Sequence, residues 1–379
     1  KDFSGSIPES YPLLSERMNA VGYATGSVGY NFFLSRKTKH KGLQQGVSDD
    51  IFLPKPNQLN SLGMRLFEYL SPFKTGNQAT TDDITEQSIR WLEEHKNEDF
   101  FLWVHYFDPH IPYIPPAAFL PDQKPNPRFG VEYWHHPIPA GTGSWIFDSQ
   151  EVEWIKQLYL SEVRYVDDRI GKLIGRMKKL GIYDESLIVM TSDHGEEFME
   201  HFGMDHGQSL YNELLAVPLT IKLPESKTTG AIDVPVGTTA ITPTILDLSG
   251  IKYDPLLLTG DSLVVHWNAG DKSKTAALPV YSSGAYLNED GESIIFNGFK
   301  FIRYFYTQRE ELYELASDPG EKINRISSYP DRASQADGIL KKLGAECEAL
   351  QRHYQQNDSV DVEIDERSRE LLKSLGYMH

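Results

Sequence analysis

Ser186-Leu187-Ile188-Val189-Met190-Thr191-Ser192-Asp193-His194-Gly195 is an apolar run of strand length that stops at an acid, an imidazole and a glycine. A long helical pattern precedes it. Val152, Ile155, Leu158, Tyr159, Val163, Val166, Ile170, Leu173, Ile174 and Met177 recur at helical spacing, and Gly181 closes the element after Lys178 and Lys179. The same step occurs earlier, where a helix from Thr80 to His95 delivers the chain into Phe100-Phe101-Leu102-Trp103-Val104-His105-Tyr106. Pro12 to Met18, followed by Val21-Gly22-Tyr23, makes another, and Val217 to Leu223 is a further apolar strand. Both the 100–106 and 186–191 runs read as strands buried on both faces, as in parallel sheets. Helices alternating with such strands predict an open α/β sheet with helices on both faces, whose ligands bind beyond the carboxyl ends of the strands. Asp108-Pro109-His110 and Asp193-His194-Gly195 both occupy such ends.

Beyond about residue 275 the pattern changes. Val280 to Ser283, Ser293 to Asn297, Phe299 to Tyr306 and Glu311 to Leu315 read as short antiparallel strands, with helices after them. A large α/β domain over 1–270 and a small α+β subdomain over 271–379 follow, in keeping with a chain of 379 residues. The stretch from Phe107 to Ser149 is too long for an ordinary connection; its Tyr133, Trp134, His135, His136 and Trp145 suit a sugar- or aryl-binding lid, or packing on their own domain. A net charge of −17 excludes a general binder of nucleic acid or anionic membrane, and an anionic small substrate would need local help such as a metal ion. Cys347 is the single cysteine, so no intrachain disulfide forms and the compartment stays open between periplasmic or extracellular and cytoplasmic. No apolar run is long enough to span a bilayer, and nothing at Lys1 resembles a signal peptide.

Asp193 and His194 offer two metal ligands on a rigid strand end, with Gly195 letting the backbone turn sharply away. The alternative is that Asp193 caps a following helix with Glu196 in its first turn. The surroundings weigh on the choice. Glu200-His201-Phe202-Gly203-Met204-Asp205-His206-Gly207, Leu210-Tyr211-Asn212-Glu213 and Val217-Pro218 follow in order. With them the sequence resembles the sulfatase family of the alkaline phosphatase superfamily. Phe101 to Tyr113 resembles the family's strand and Pro-His-x-Pro-Tyr loop, and Ile241 to Gly250 its last main-domain helix. Lys300 to Tyr304, Glu311 to Pro319 and Leu371 to Tyr377 are similar to its C-terminal subdomain and tail.

The resemblance implies an alkaline-phosphatase-like open mixed sheet with helices on both faces, a small C-terminal α+β subdomain, and metal-dependent hydrolysis of sulfate esters. It places Asp193 and His194 on the cation, and His110 and His206 against the substrate's anionic group or leaving oxygen. Imidazoles suit that task, since they donate to sulfate oxygens and can supply a proton to a departing alkoxide. The plainer reading is that His110 and His206 brace their loops. His105 reads as a core histidine, and His201 stays open between the two. The cofactor is a divalent ion, calcium first, with manganese and zinc open because one histidine among oxygen ligands does not decide. The implied substrate is a small anionic ester, such as a sulfated carbohydrate or an aryl ester.

Two departures from the family pattern matter. Many sulfatases carry a lysine and a histidine where this chain reads Gly29-Tyr30-Asn31-Phe32. Tyr30 and Asn31 are therefore the substrate-binding candidates at that strand end, with plain packing as the alternative for Tyr30. Together with His194, where many sulfatases carry asparagine, this leans toward relatives that cleave phosphodiesters or phosphonate monoesters. The second departure concerns the family's paired acidic ligands and its Cys/Ser-x-Pro-x-Arg nucleophile motif. Cys347 lies in the wrong context, Ser6-Ile7-Pro8-Glu9 lacks the arginine, and Asp49-Asp50 follows the first matched helix. The expectations are an N-terminal fragment of the same enzyme as partner, a truncated sequence, or an inert binding pseudoenzyme.

Overall fold

Among the apolar runs, the one after Tyr23 becomes the centre of a parallel sheet. In the computed structural model the described residues are 11–29, 45–53, 81–130, 133, 147–227, 229–265, 278–284 and 290–355. The chain divides into two compact units, one of residues 1–135, 153–185 and 354–379, the other of 136–152 and 186–353. The 270/271 boundary read from the sequence falls at 266–277, outside the described residues.

In the first unit, helix α1 (Leu14–Ala20) leads into β1 (Ala24–Gly29), which lies between β2 (Asp49–Phe52) and β3 (Phe100–His105), parallel to both. Val28, opposite Ile51 and Val104, is fully buried. Helix α2 (Thr81–His95) presses Trp91 onto β1 so closely that a Cβ at Gly26 would stand 2.6 Å from the indole. Helix α3 (Ser149–Leu180) buries Trp154, Ile155, Leu158, Ser161, Glu162 and Tyr165, the spacing of one helical face. The expected burial of the 100–106 strand on both faces does not hold: Trp103 is 38% exposed, because β3 is an edge of this three-stranded sheet among the described residues.

In the second unit β4 (Ile188–Thr191) pairs antiparallel with β7 (Leu219–Lys222), and Met190 is likewise 40% exposed rather than buried. Between them come a hairpin of β5 (Glu197–Phe198) and β6 (Met204–Asp205) and the short helix α4 (Asn212–Leu215). After α5 (Ile241–Leu248), strands β8 (Val280–Ser283), β9 (Gly291–Phe296), β10 (Phe299–Tyr304) and β11 (Glu310–Glu314) form an antiparallel meander. Alternation sorts its side chains. Ile294, Phe296, Phe299, Phe301 and Leu312 meet Ala336 and Leu340 of helix α6 (Pro330–Gln355). From the opposite face Ile302, Tyr304 and Tyr313 meet Leu210 and Tyr211. The C-terminal sheet thus supports the segment that follows the glycine- and histidine-rich loop. No helix among the described residues is long and apolar enough to cross a membrane.

Candidate active site and metal centre

β4 delivers Asp193 and His194 at its carboxyl end. No helix starts there, so the capping alternative fails: residues 193–196 lead without regular structure into β5, and the Asp193 carboxylate accepts the neighbouring His194 amide at 3.0 Å. His194 Nδ1 lies 2.8 Å from the Gly195 carbonyl, which requires that nitrogen to carry the hydrogen and leaves the lone pair on Nε2. Nε2 stands 3.7 Å from Asp193 Oδ2. An imidazole oriented by a carbonyl at one nitrogen while the other faces a carboxylate is the arrangement of a metal-ligating histidine, and these two residues fit a divalent cation. Gly195 acts differently from expectation. It donates to Leu214 O at 2.8 Å, and a Cβ there would sit 2.0 Å from Glu213 O, so close approach to α4, not a sharp turn, demands glycine.

The β5–β6 hairpin is organised by Glu197, whose side chain is fully buried. Its carboxylate accepts from His201 N at 2.9 Å, Gly203 N at 2.7 Å and Gln208 Nε2 at 2.8 Å. At its end Asp205 adopts φ = 80°, in the left-handed region that aspartate and asparagine enter more readily than other non-glycine residues. His206 follows, with Nδ1 at 3.0 Å from both Glu196 Oε1 and Asp205 Oδ1. Burial works against its charged form, but hydrogen bonds to Asp205 and Glu196 and their charges push its pKa up to about 10. The His206 ring lies 4.1 Å from that of His194. Glu196, Asp205 and His206 also form a group of three side chains with metal-capable atoms within 4.8 Å of one another. A cation on that group would compete with the imidazolium proton for Nδ1.

His201, open in the sequence, braces its loop. Nδ1 pairs with Glu213, Nε2 lies 3.0 Å from Glu321 O, and the ring stacks on Tyr211 at 3.5 Å. Beside it Lys300, fully buried on the loop-facing side of β10, forms an ion pair with Glu321 Oε1 at 2.7 Å and donates to Asn212 Oδ1 at 2.9 Å. Glu321 Oε2 accepts Asn212 N at 2.6 Å.

His110 belongs to the first unit, past the end of β3. Its amide donates to Phe107 O at 2.9 Å, its Nδ1 lies 2.7 Å from Ile111 O, and its ring stacks on Phe107 at 4.5 Å. The loop contains cis peptide bonds at Asp108–Pro109 and Ile111–Pro112. Asp108 Oδ2 accepts Thr81 Oγ1 at 2.5 Å, and Glu162 Oε1 accepts Ile114 N at 2.5 Å. His105, at the end of β3 opposite Gly29, is half-buried. Tyr133, a lid candidate, is buried, exchanges backbone hydrogen bonds of 2.9 Å with Tyr113 and stacks on its ring, so for this residue packing prevails. Trp134, His135, His136, Trp145 and both substrate candidates, Tyr30 and Asn31, lie outside the described residues.

The structure therefore brings Asp193, His194 and His206 together and adds Glu196, Glu197 and Asp205, which the sequence did not assign to the site. The clue was present in the acids flanking the two histidines, Glu196-Glu197 and Asp205.

Compared with known proteins, the Sulfatase family profile matches residues 2–251. The chain belongs to the sulfatase family. A second profile, N-sulphoglucosamine sulphohydrolase, C-terminal, matches residues 200–353 of this sulfatase relative. It is 28% identical over 285 residues to a "Sulfatase" of Formosa agariphila, covering 69% of this chain and 54% of that one. It is also 28% identical over 296 residues to arylsulfatase K of Bos taurus, covering 68% and 54%. The chain thus spans about half the length of the curated relatives it matches. Among solved structures it is similar to one in complex with its substrate D-glucosamine-2-N,6-O-disulfate, with TM-score 0.63, 18% identity and coverage of 91% and 82%. The phosphonate monoester hydrolase of Agrobacterium radiobacter gives 0.65, 19%, 89% and 80%. These likenesses show the alkaline-phosphatase-like α/β fold. The sulfatase family is metal-dependent.

Proposed function

We propose that this sulfatase-family chain serves a metal-dependent hydrolase of sulfate esters, with Asp193 and His194 on the cation and His110 and His206 serving the ester. The observation that carries the reading is the strand-end pairing of His194 Nε2 with the Asp193 carboxylate, beside a histidine held by two half-buried carboxylates. A divalent cation bound there supplies positive charge and Lewis acidity against the ester oxygens. Calcium suits an exposed, oxygen-rich site, with manganese and zinc as alternatives. His206, its Nδ1 committed to Glu196 and Asp205, is fixed in orientation and biased toward the charged form, which favours donation to a sulfate or leaving oxygen. Tyr30 and Asn31 are assigned to substrate contact at the end of β1, within a catalytic domain over 1–270 and a subdomain over 271–379. The nucleophile comes from an N-terminal fragment of the same enzyme that bears Cys/Ser-x-Pro-x-Arg. A sulfated carbohydrate or aryl ester is the substrate class, in line with the disulfated glucosamine bound by one structural neighbour and the arylsulfatase name of a relative.

A phosphonate monoester or phosphodiester is the second reading, favoured by His194 in place of asparagine and by a neighbour of that activity with a similar TM-score. The test is the intact mass and N-terminal sequence of the native gene product, then turnover of an aryl sulfate, an aryl phosphodiester and a phosphonate monoester side by side. Aryl sulfate turnover that chelation abolishes and calcium restores is the expected result. Preference for the phosphonate overturns the sulfate assignment, and metal binding without turnover of any ester overturns hydrolysis altogether.

A further inference from the structure

Glu162 is a carboxyl on the wrong face of its helix. It stands between Leu158 and Tyr165 on the buried side of α3 and is 3% exposed. Acids seldom occupy such positions unless paired with a cation or richly hydrogen-bonded. Here one oxygen, Oε1, accepts the Ile114 amide at 2.5 Å, while Oε2 is buried with no hydrogen-bond partner among the described residues. The Asp108 carboxyl acts on it with a charge of its own sign.

We propose that Glu162 is the positioning residue of the loop that carries His110, acting through the Ile114 amide and touching neither substrate nor metal. This rests on the assignment of His110 to the ester site. The loop from Asp108 to Tyr113 leaves β3 and, besides the backbone pairing of Tyr113 with Tyr133, is fastened by side chains at two places. Upstream, Asp108 accepts Thr81 Oγ1 at the first turn of α2. Downstream, Ile114 is held by Glu162 from α3. His110 sits between the two fastenings, its own Nδ1 turned onto the loop backbone at Ile111 O. Among the described residues, the acceptor for the Ile114 amide is this side chain. The protonation states agree with such a clamp. Burial and the Asp108 charge push the Glu162 carboxyl up to about 9, whereas Asp108, also raised by burial, is relieved by Thr81 hydrogen bonds. Glu162 therefore keeps its proton at neutral pH, and a neutral acid can be replaced by its amide.

The experiment compares Glu162→Gln with Glu162→Ala in the native gene product, by amide hydrogen exchange at Ile114 and by steady-state kinetics on aryl sulfate. Glutamine keeps an acceptor for Ile114 without charge, so exchange stays at the wild-type rate and kcat within about threefold. Alanine removes the acceptor: Ile114 exchange rises by about tenfold or more, and kcat falls by up to about a hundredfold with KM little changed, as for a displaced catalytic group. Wild-type protection of Ile114 in the alanine variant overturns the clamp. A glutamine variant as inactive as alanine, with Ile114 still protected, overturns it as well, because the carboxyl would then act chemically. If the wild type turns over no ester, the hydrolase reading fails, while the exchange comparison still decides whether Glu162 holds the loop.

Discussion

Lys300→Met tests whether the C-terminal sheet holds the candidate site in shape. Both members of the Lys300–Glu321 pair have fully buried side chains, with 2.7 Å between Nζ and Oε1. Burial pushes the Lys300 pKa down, and only partly do Glu321, Glu213 and Glu311 oppose this. Methionine fills the volume but strands a carboxylate in the interior and removes the Asn212 side chain's donor. Breaking a buried ion pair from one side costs about 3–5 kcal/mol, and the lower end applies because Glu321 Oε2 retains the Asn212 amide at 2.6 Å. Urea denaturation at pH 7, followed by circular dichroism, should show a loss of about 3 kcal/mol for Lys300→Met and a similar loss for Glu321→Gln. In the double variant no charge is stranded, so the loss should fall short of the sum by about 2 kcal/mol. A single-variant loss below about 1 kcal/mol, or strict additivity of the two, would refute the reasoning.

Calcium added to the chelated protein should raise its thermal midpoint, by the equivalent of about 2.7 kcal/mol at a hundredfold excess over Kd, and Asp193→Ala should abolish the rise in the same scan. Gly195→Ala forces a methyl to within 2.0 Å of Glu213 O; a loss of about 1–3 kcal/mol is expected together with weakened calcium affinity by titration calorimetry, and unaltered affinity would argue against a close-packed strand end. Glu162 should imprint a pH dependence on stability. Its folded-state pKa is raised from 4.5 to about 9, so the native protein holds a proton that the unfolded chain has released. Stability from this group is intact below about 4.5 and declines as pH rises toward about 9, and denaturant titrations of Glu162→Gln should lack that decline.

The sequence discloses those parts of the fold that rest on period and on punctuation. Helix α3 and β4 are legible because ten apolar residues share one helical face and the strand stops at Asp193. β2 escapes, since Asp49-Asp50-Ile51-Phe52 has no alternation and draws its partners from β1. Burial is misjudged where the hydrogen-bonded neighbours decide it, as at Trp103 and Met190. At the candidate site, Asp193, His194 and His206 are named by motif, whereas Glu196 and Asp205 become visible through the folding of the hairpin that turns them onto one imidazole. Glu162 was detectable in principle as an acid three residues before Tyr165 on an apolar face, but a lone charge in a long helix looks like solvent surface until its neighbours are known.

Glu197 gives the hairpin a covalently attached anion at its centre. Loops that lack such an anchor often borrow one from solution and change shape when a cation leaves, so that loading and folding become a single event. Here three donors already converge on a carboxylate belonging to the chain, and the backbone around Asp205 and His206 is set independently of what Asp193 and His194 hold. A cation at the proposed site would then exchange in a folded protein, with the affinity undiminished by any ordering of the loop. If the proposed site holds a divalent ion, its identity would follow the supply in the compartment rather than the history of folding.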